Sequence, residues 1–204
     1  QHRGQDAAGI SVCNSDDQLN SRKSMGYVRD VFQQRHMDKL TGNYGIGHVR
    51  YPTAGGAGKE FAQPMYVNSP YGISLAHNGN LTNSKQLGTQ LFHAEMRHLR
   101  TDSDSEVLLN IFAHELGKQR EIYPSEKNIF KAVTKTHIRC DGAYAVIALI
   151  TGYGLVAFRD NNGIRPLSIG VRKGKEREEY IVSSEDALFP PLGFEKLRDI
   201  DPGE

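Results

Sequence analysis

The 204-residue chain has almost no excess of either charge: 25 Lys and Arg against 24 Asp and Glu leave a formal +1. A nucleic-acid footprint needs a clustered basic surplus, so this balance argues against one. Long hydrophobic runs are missing too. No window approaches the roughly 20 apolar residues of a membrane span. The longest apolar run, Ala143 to Ile150, has strand length. Cysteine is scarce, with only Cys13 and Cys140, far apart. That excludes a disulfide framework and a zinc site and points to a reducing, cytoplasmic setting. The eight histidines form no metal constellation. His93 and His98 stand five apart, a spacing that does not share a helical face.

What is present suits one α/β or α+β domain with a sizeable core. Both ends read as cut: Gln1-His2-Arg3-Gly4-Gln5-Asp6 is polar and turn-like, and Asp201-Pro202-Gly203-Glu204 is a bare turn. The expectation is a piece of a longer protein.

Strands are predicted at Ala8 to Cys13, Tyr44 to Arg50 and Ile73 to His77, the last ending in the turn signal Asn78-Gly79-Asn80. Helices are predicted from about Thr82 to Met96, Asp104 to Leu116 and Ser125 to Ile138. Ser103 and Glu106 fit a capping box before the stripe Val107, Leu108, Ile111 and Phe112. Ala143 to Thr151 and Leu155 to Arg159 read as a hairpin, with further strands at Pro166 to Val171 and Tyr180 to Val182. The charged run Lys173 to Glu179 reads as a solvated hairpin tip. Strands, then helices, then strands suggest layered sheets with helices between or outside them.

Gly55-Gly56-Ala57-Gly58-Lys59 imitates a phosphate loop, but Glu60 stands where Ser or Thr would hold a metal, and Pro64 closes the segment. A mobile lid suits three glycines better, and an ordinary surface loop suits them equally. Three polar features have the right chemistry for a small ligand. Arg50 ends a strand and has a fork for a carboxylate. Asn78-Gly79 offers a side-chain amide and a backbone N–H for one oxygen. Asp104, at a helix start, suits an amine. A surface ion pair, a turn and a cap explain them as well. Cys13 and Cys140 read as small apolar residues rather than nucleophiles, and His77 as structural.

Read together, several stretches resemble the glutaminase half of the amidophosphoribosyltransferase family. They are Gln1-His2-Arg3-Gly4-Gln5-Asp6-Ala7-Ala8-Gly9-Ile10, Gly47-His48-Val49-Arg50-Tyr51-Pro52-Thr53, Ala76-His77-Asn78-Gly79-Asn80-Leu81-Thr82 and Ser103-Asp104-Ser105-Glu106. Asn68-Ser69-Pro70-Tyr71-Gly72 and Phe158-Arg159-Asp160, with Asn162-Gly163-Ile164-Arg165-Pro166-Leu167, extend the likeness over nearly the whole chain. Asn161, where the family often has Pro, and Asp186 with Pro190 depart from its pattern.

The resemblance implies an α+β fold, the four-layer α-β-β-α sandwich of N-terminal-nucleophile hydrolases, here lacking its first strand. It implies that residues 1–204 form one type 2 glutamine amidotransferase domain. The nucleophile would be the thiol of an N-terminal cysteine upstream of Gln1, with its α-amino group as base. Asn78 and Gly79 would form the oxyanion hole. Arg50 would hold the α-carboxylate of L-glutamine and Asp104 its α-amino group. Thr53 and Gly79 would also touch the substrate, and Arg3 would lie near the nucleophile.

No cofactor is expected within these residues. Mg²⁺ is expected in a phosphoribosyltransferase half beyond Glu204, and an iron–sulfur cluster or propeptide would also lie outside the chain. The implied reaction makes phosphoribosylamine from glutamine and phosphoribosyl pyrophosphate, the first step of purine synthesis, in a homotetramer. These residues alone would be inactive. One alternative is the glutaminase half of a hexosamine-phosphate synthase, which usually has Tyr at His2 and Trp-Ala at Tyr51-Pro52. Another is a glutamine-binding module without a nucleophile, which an upstream Met-Cys-Gly start would eliminate.

Overall fold

The computed structural model describes residues 3–51, 58–175 and 177–204. The first sheet is antiparallel, in the order β2 (Leu19–Met25), β1 (Ala7–Cys13), β3 (Tyr44–Arg50). The second runs β4 (Met65–Val67), β5 (Ile73–Leu81), β6 (Gly142–Ile150), β7 (Gly154–Arg159). A third, ordered β10 (Glu195–Asp199), β8 (Ser168–Lys173), β9 (Glu178–Ser183), is built from the carboxyl-terminal strands. Two single-turn helices, α1 (Val28–Val31) and α2 (Gln34–Met37), follow β2, and α1 rests on β1 and β2. The long helices are α3 (Ser84–Glu95), α4 (Asp104–Gly117) and α5 (Glu126–Arg139).

Strand alternation sorts the core into layers. On β5, Ile73 and Leu75 face the helices, joining Leu108, Ile111, Phe112 and Ile129 in the largest buried cluster. Ala76 points the other way and meets Cys13, Ile46 and Leu149 between the two sheets. Ala145, Leu167 and Ile200 fill the matching space beneath the third sheet. Helices thus cover one face of the β4–β7 sheet and further sheets cover the other, as the expected sandwich requires. On the first sheet, α1 is the helix that rests on β1 and β2 among the described residues.

Two expectations are corrected. The strand read as ending at His77 continues through Asn78-Gly79-Asn80 to Leu81, paired residue by residue with β6. Turn-forming residues here extend a strand because Gly142 and Gly79 let two backbones approach where Cβ atoms would collide. The capping box is also different. Ser103 accepts from the Ser105 N–H at 3.3 Å, but Glu106 reaches past it to the N–H groups of Arg100 and Thr101 at 2.9 and 2.8 Å. The Ser103 N–H instead donates to Thr101 Oγ1 at 3.2 Å. Three strands escaped the sequence reading: β2, whose polar Leu-Asn-Ser-Arg-Lys-Ser-Met shows no apolar period, the three-residue β4, and the exposed β10. Other boundaries shift by a few residues, and the charged tip between β8 and β9 is where expected.

The helical layer is tied together by a partly buried ion network. Arg139 donates to Glu115 at 2.7 Å and to Glu95 at 2.6 Å, linking α5 to α4 and α3. Lys118 also reaches Glu115, at 2.9 Å. Arg139→Met would leave the Glu95 carboxylate, whose side chain is only 8% exposed, with only His114 Nδ1 at 3.4 Å beside it. We expect it to cost about 3 kcal/mol of unfolding free energy, measured by urea denaturation. A loss within about 0.5 kcal/mol, the range of an ordinary surface substitution, would contradict this.

Candidate active site

The end of β3, the far half of β5 and the start of α4 open onto one cleft of about 1720 Å³. Arg50, Asn78, Gly79, Asp104 and Arg3 all line it. Five features from four separate segments therefore converge. Thr53, the remaining predicted contact, lies outside the described residues, as does most of the glycine loop.

Arg50 is the last residue of β3 and faces Ala7 of β1. Its guanidinium is buried and donates through Nη1 to the carboxylate of Asp6, while the Asp6 N–H donates to the Arg50 carbonyl at 3.0 Å. Its Cζ lies 5.4 Å from the centre of the Phe61 ring. An arginine seated against a carboxylate and a ring face is held in one orientation, which suits it to bind a second carboxylate. Phe61 is placed by the short 3-10 turn Lys59–Phe61. That turn is tethered at its end by Lys23 Nζ, which donates to the carbonyls of Ala62 and Pro64 at 2.7 and 3.0 Å.

Asp104 opens α4, with Ser103 as N-cap. A carboxylate there is favoured by the helix dipole. One oxygen accepts the Leu81 N–H at 3.0 Å, locking the start of α4 to the end of β5. The side chain remains 23% exposed toward the cleft.

His77 and Asn78 leave β5 on opposite faces. His77 is buried under α4, its Nδ1 2.9 Å from Ser105 Oγ. Gln63 brackets its backbone, accepting the His77 N–H at 2.7 Å and donating to its carbonyl at 3.2 Å. These bonds fix the strand beside the predicted oxyanion donors. Asn78 instead faces β3, where its Oδ1 lies 3.0 Å from His48 Nε2. Arg3 forms an ion pair with Glu185 at 2.9 Å, joining the segment before β1 to the end of β9 at the cleft's rim.

Sequence reasoning missed Asp6, His48, Gln63 and Arg165 as cleft-building residues. Arg165 lines the cleft because Asp160 holds its loop. The Asp160 carboxylate accepts the N–H groups of Asn162 at 3.0 Å, Ile164 at 3.1 Å and Arg165 at 3.4 Å. Arg159 closes the loop from the other side, donating to the carbonyls of Arg165, Gly163 and Ile200. Asp6, His48 and Arg165 stand in motifs visible in the sequence, whereas Gln63 stands in none. What was not visible was the strand pairing and loop closure that bring them to the cleft.

Burial governs the histidines. It drives His48 from 6.5 to about 4, although the bond to Asn78 opposes the shift. Burial also lowers His77, with Asp104 opposing, and His137, with Asp160 opposing. A histidine lowered in the folded state adds stability that is complete above its unfolded pKa and is lost as pH falls through the folded one. For His48 that window runs from 6.5 down to about 4, worth up to roughly 3 kcal/mol. Unfolding free energy should therefore fall between about pH 6.5 and pH 4, and fall less in a His48→Gln variant. Identical pH profiles for the two proteins would refute it.

Neither thiol is placed to act in the cleft. Cys13 lies buried between the two sheets, and burial pushes the Cys140 thiol up to about 12. Among the described residues, no group of three or more His, Cys, Asp or Glu side chains is arranged to hold a metal ion. No helix among them is long and apolar enough to cross a membrane.

A sandwich of antiparallel sheets whose cleft sets an arginine and an aspartate around an Asn-Gly pair is the arrangement expected of a class II glutamine amidotransferase. A family model described as a glutamine amidotransferase domain matches residues 56–190, and the chain belongs to that family. Within it, the chain is 58% identical over 204 residues to the amidophosphoribosyltransferase of Pseudomonas aeruginosa, all of this chain aligning with 40% of that protein. It is 57% identical over 206 residues to the amidophosphoribosyltransferase of Escherichia coli, all of it aligning with 41%. The fold matches the glutamine phosphoribosylpyrophosphate amidotransferase of B. subtilis, solved with ADP and GMP. The TM-score is 0.80 at 34% identity, over 99% of this chain and 40% of that one. The chain thus spans about two fifths of the length of the relatives it matches.

Proposed function

We propose that this chain is the glutamine-hydrolysing part of an amidophosphoribosyltransferase, releasing ammonia that a phosphoribosyltransferase half adds to phosphoribosyl pyrophosphate to form phosphoribosylamine. The observation that carries the reading is the convergence of Arg50, Asp104, Asn78 and Gly79 on one cleft. Free glutamine presents a carboxylate, an ammonium and an amide carbonyl. The cleft offers one group of matching chemistry for each: Arg50, Asp104 and the Asn78-Gly79 pair. The relatives support the purine branch over the hexosamine branch, since the two named above, each aligned over this whole chain, are amidophosphoribosyltransferases.

In the proposed mechanism an N-terminal cysteine upstream of Gln1 supplies the thiolate, and its α-amine takes the thiol proton. The sulfur adds to the side-chain amide carbon of glutamine. Asn78 Nδ2 and the Gly79 N–H stabilise the resulting oxyanion. The C–N bond breaks as the α-ammonium returns the proton to the leaving nitrogen, releasing ammonia and a thioester. Water then hydrolyses the thioester to glutamate and regenerates the thiol. Arg50 and Asp104 grip the α-carbon end throughout, so binding energy from the unreactive end positions the amide. Thr53 is proposed to touch the same substrate and Arg3 to lie beside the nucleophile. The whole protein is proposed to act in the cytoplasm as a homotetramer, with Mg²⁺ serving the phosphoribosyltransferase half.

The test is to express the chain with and without its upstream segment. Glutamate release is expected only from the extended protein, and only with its first cysteine intact. Release from residues 1–204 alone would overturn the assignment of the nucleophile.

A further inference from the structure

His48 and Arg50 stand two apart on β3, so both side chains leave the same face of the strand, and both line the cleft. The imidazole has one side-chain hydrogen bond, between Nε2 and Asn78 Oδ1 at 3.0 Å, and the His77 backbone also acts on it. Its Nδ1 is buried and has no hydrogen-bond partner among the described residues. A neutral imidazole has one N–H and one lone pair. A proton on Nδ1 would leave a buried donor orphaned, whereas a proton on Nε2 leaves only a lone pair unsatisfied. Orphaned buried N–H groups are the rarer of the two. The proton therefore belongs on Nε2, which donates to Asn78 Oδ1.

That bond has a consequence for the amide. Its terminal torsion is soft, and nitrogen and oxygen exchange places on rotation. With Oδ1 held as an acceptor by His48, Nδ2 must occupy the other edge of the amide. We propose that His48 is a positioning residue that sets the Asn78 amide with its N–H groups, rather than its oxygen, toward the reacting carbonyl. The proposal rests on the glutaminase reading of the cleft. A reversed amide would set a lone pair against the developing oxyanion, so the same side chain would repel the charge it is there to stabilise.

The test uses the full-length amidotransferase and compares His48→Met with His48→Gln. The two replacements are close in shape, but only Gln has an N–H that reaches the former Nε2 position. His48→Met should lower kcat for glutamine hydrolysis roughly 10- to 100-fold, the range set by leaving one amide oxygen unpaired in the productive orientation. KM for glutamine should stay within about threefold, because Asn78 acts on charge that develops only in the transition state. His48→Gln should recover most of the loss. In an Asn78→Ala background, His48→Met should cause no further loss.

Wild-type kcat in His48→Met, or equal losses in the Met and Gln variants, would overturn the positioning role. If the Met variant does not fold, the Gln variant decides: kcat within about threefold of wild type sustains the proposal, and a loss of about tenfold or more overturns it. Wild-type turnover in Asn78→Ala would remove the oxyanion reading and the proposal with it. An impaired Asn78→Ala beside an unimpaired His48→Met would remove the proposal alone.

Discussion

Gly79→Ala is expected to destabilise the domain by on the order of 4 kcal/mol or more and to abolish glutamine hydrolysis. Gly79 has φ +151°, a conformation L side chains rarely adopt. A Cβ there would lie 1.9 Å from the Ala143 carbonyl oxygen and 2.8 Å from Tyr144 Cα. Both obstacles are backbone, within the β5–β6 ladder, so no side chain can rotate away to make room. The strands would have to separate at Gly79 and Tyr144, a paired position. Separation would carry the Gly79 N–H and the neighbouring Asn78 away from the cleft. Denaturation midpoints and glutamate release, measured on the same preparation, check both halves of the prediction. An alanine variant of wild-type stability would show that the close approach at this position is not required.

Arg50→Ala should weaken L-glutamine binding by at least roughly 100-fold, as truncating one partner of a buried charge pair does. The variant also removes the partner of Asp6, whose carboxylate is 16% exposed, so some stability goes with it. Calorimetry separates the two effects. The decarboxylated analogue of glutamine has no group for Arg50 to clamp, so wild type and variant should bind it alike. Arg50→Lys keeps the charge and loses the planar fork, and should fall between wild type and Ala. Unchanged affinity of Arg50→Ala for glutamine would refute the clamp.

How much of this was legible beforehand differs from element to element. All three long helices were legible, and α4 announced itself through its Ser103 cap and the stripe Val107, Leu108, Ile111 and Phe112, which are local properties. The hairpin of β6 and β7 was legible for the same reason, since Gly152-Tyr153-Gly154 separates two apolar runs. The far half of β5 misled because Asn-Gly is a local turn signal. Its strand conformation depends on Gly142, 63 positions from Gly79 in the chain and one away from its pairing partner's neighbour in β6. β2 was invisible because its side chains are polar, and what makes it a strand is hydrogen bonding to β1.

The site divides along the same line. The sequence by itself determined the chemical inventory: a guanidinium, a carboxylate, an amide beside a glycine, and two thiols without a catalytic context. Motif resemblance joined that inventory to glutamine. Only the tertiary structure decided that Asp6 seats Arg50, that Gln63 and Ser105 hold His77, and that His48 faces the Asn78 amide. The physical reason is that each of these bonds joins residues 14 to 44 positions apart. Side-chain identity is written locally, whereas orientation is set by partners that only strand register and layer packing bring within hydrogen-bonding distance.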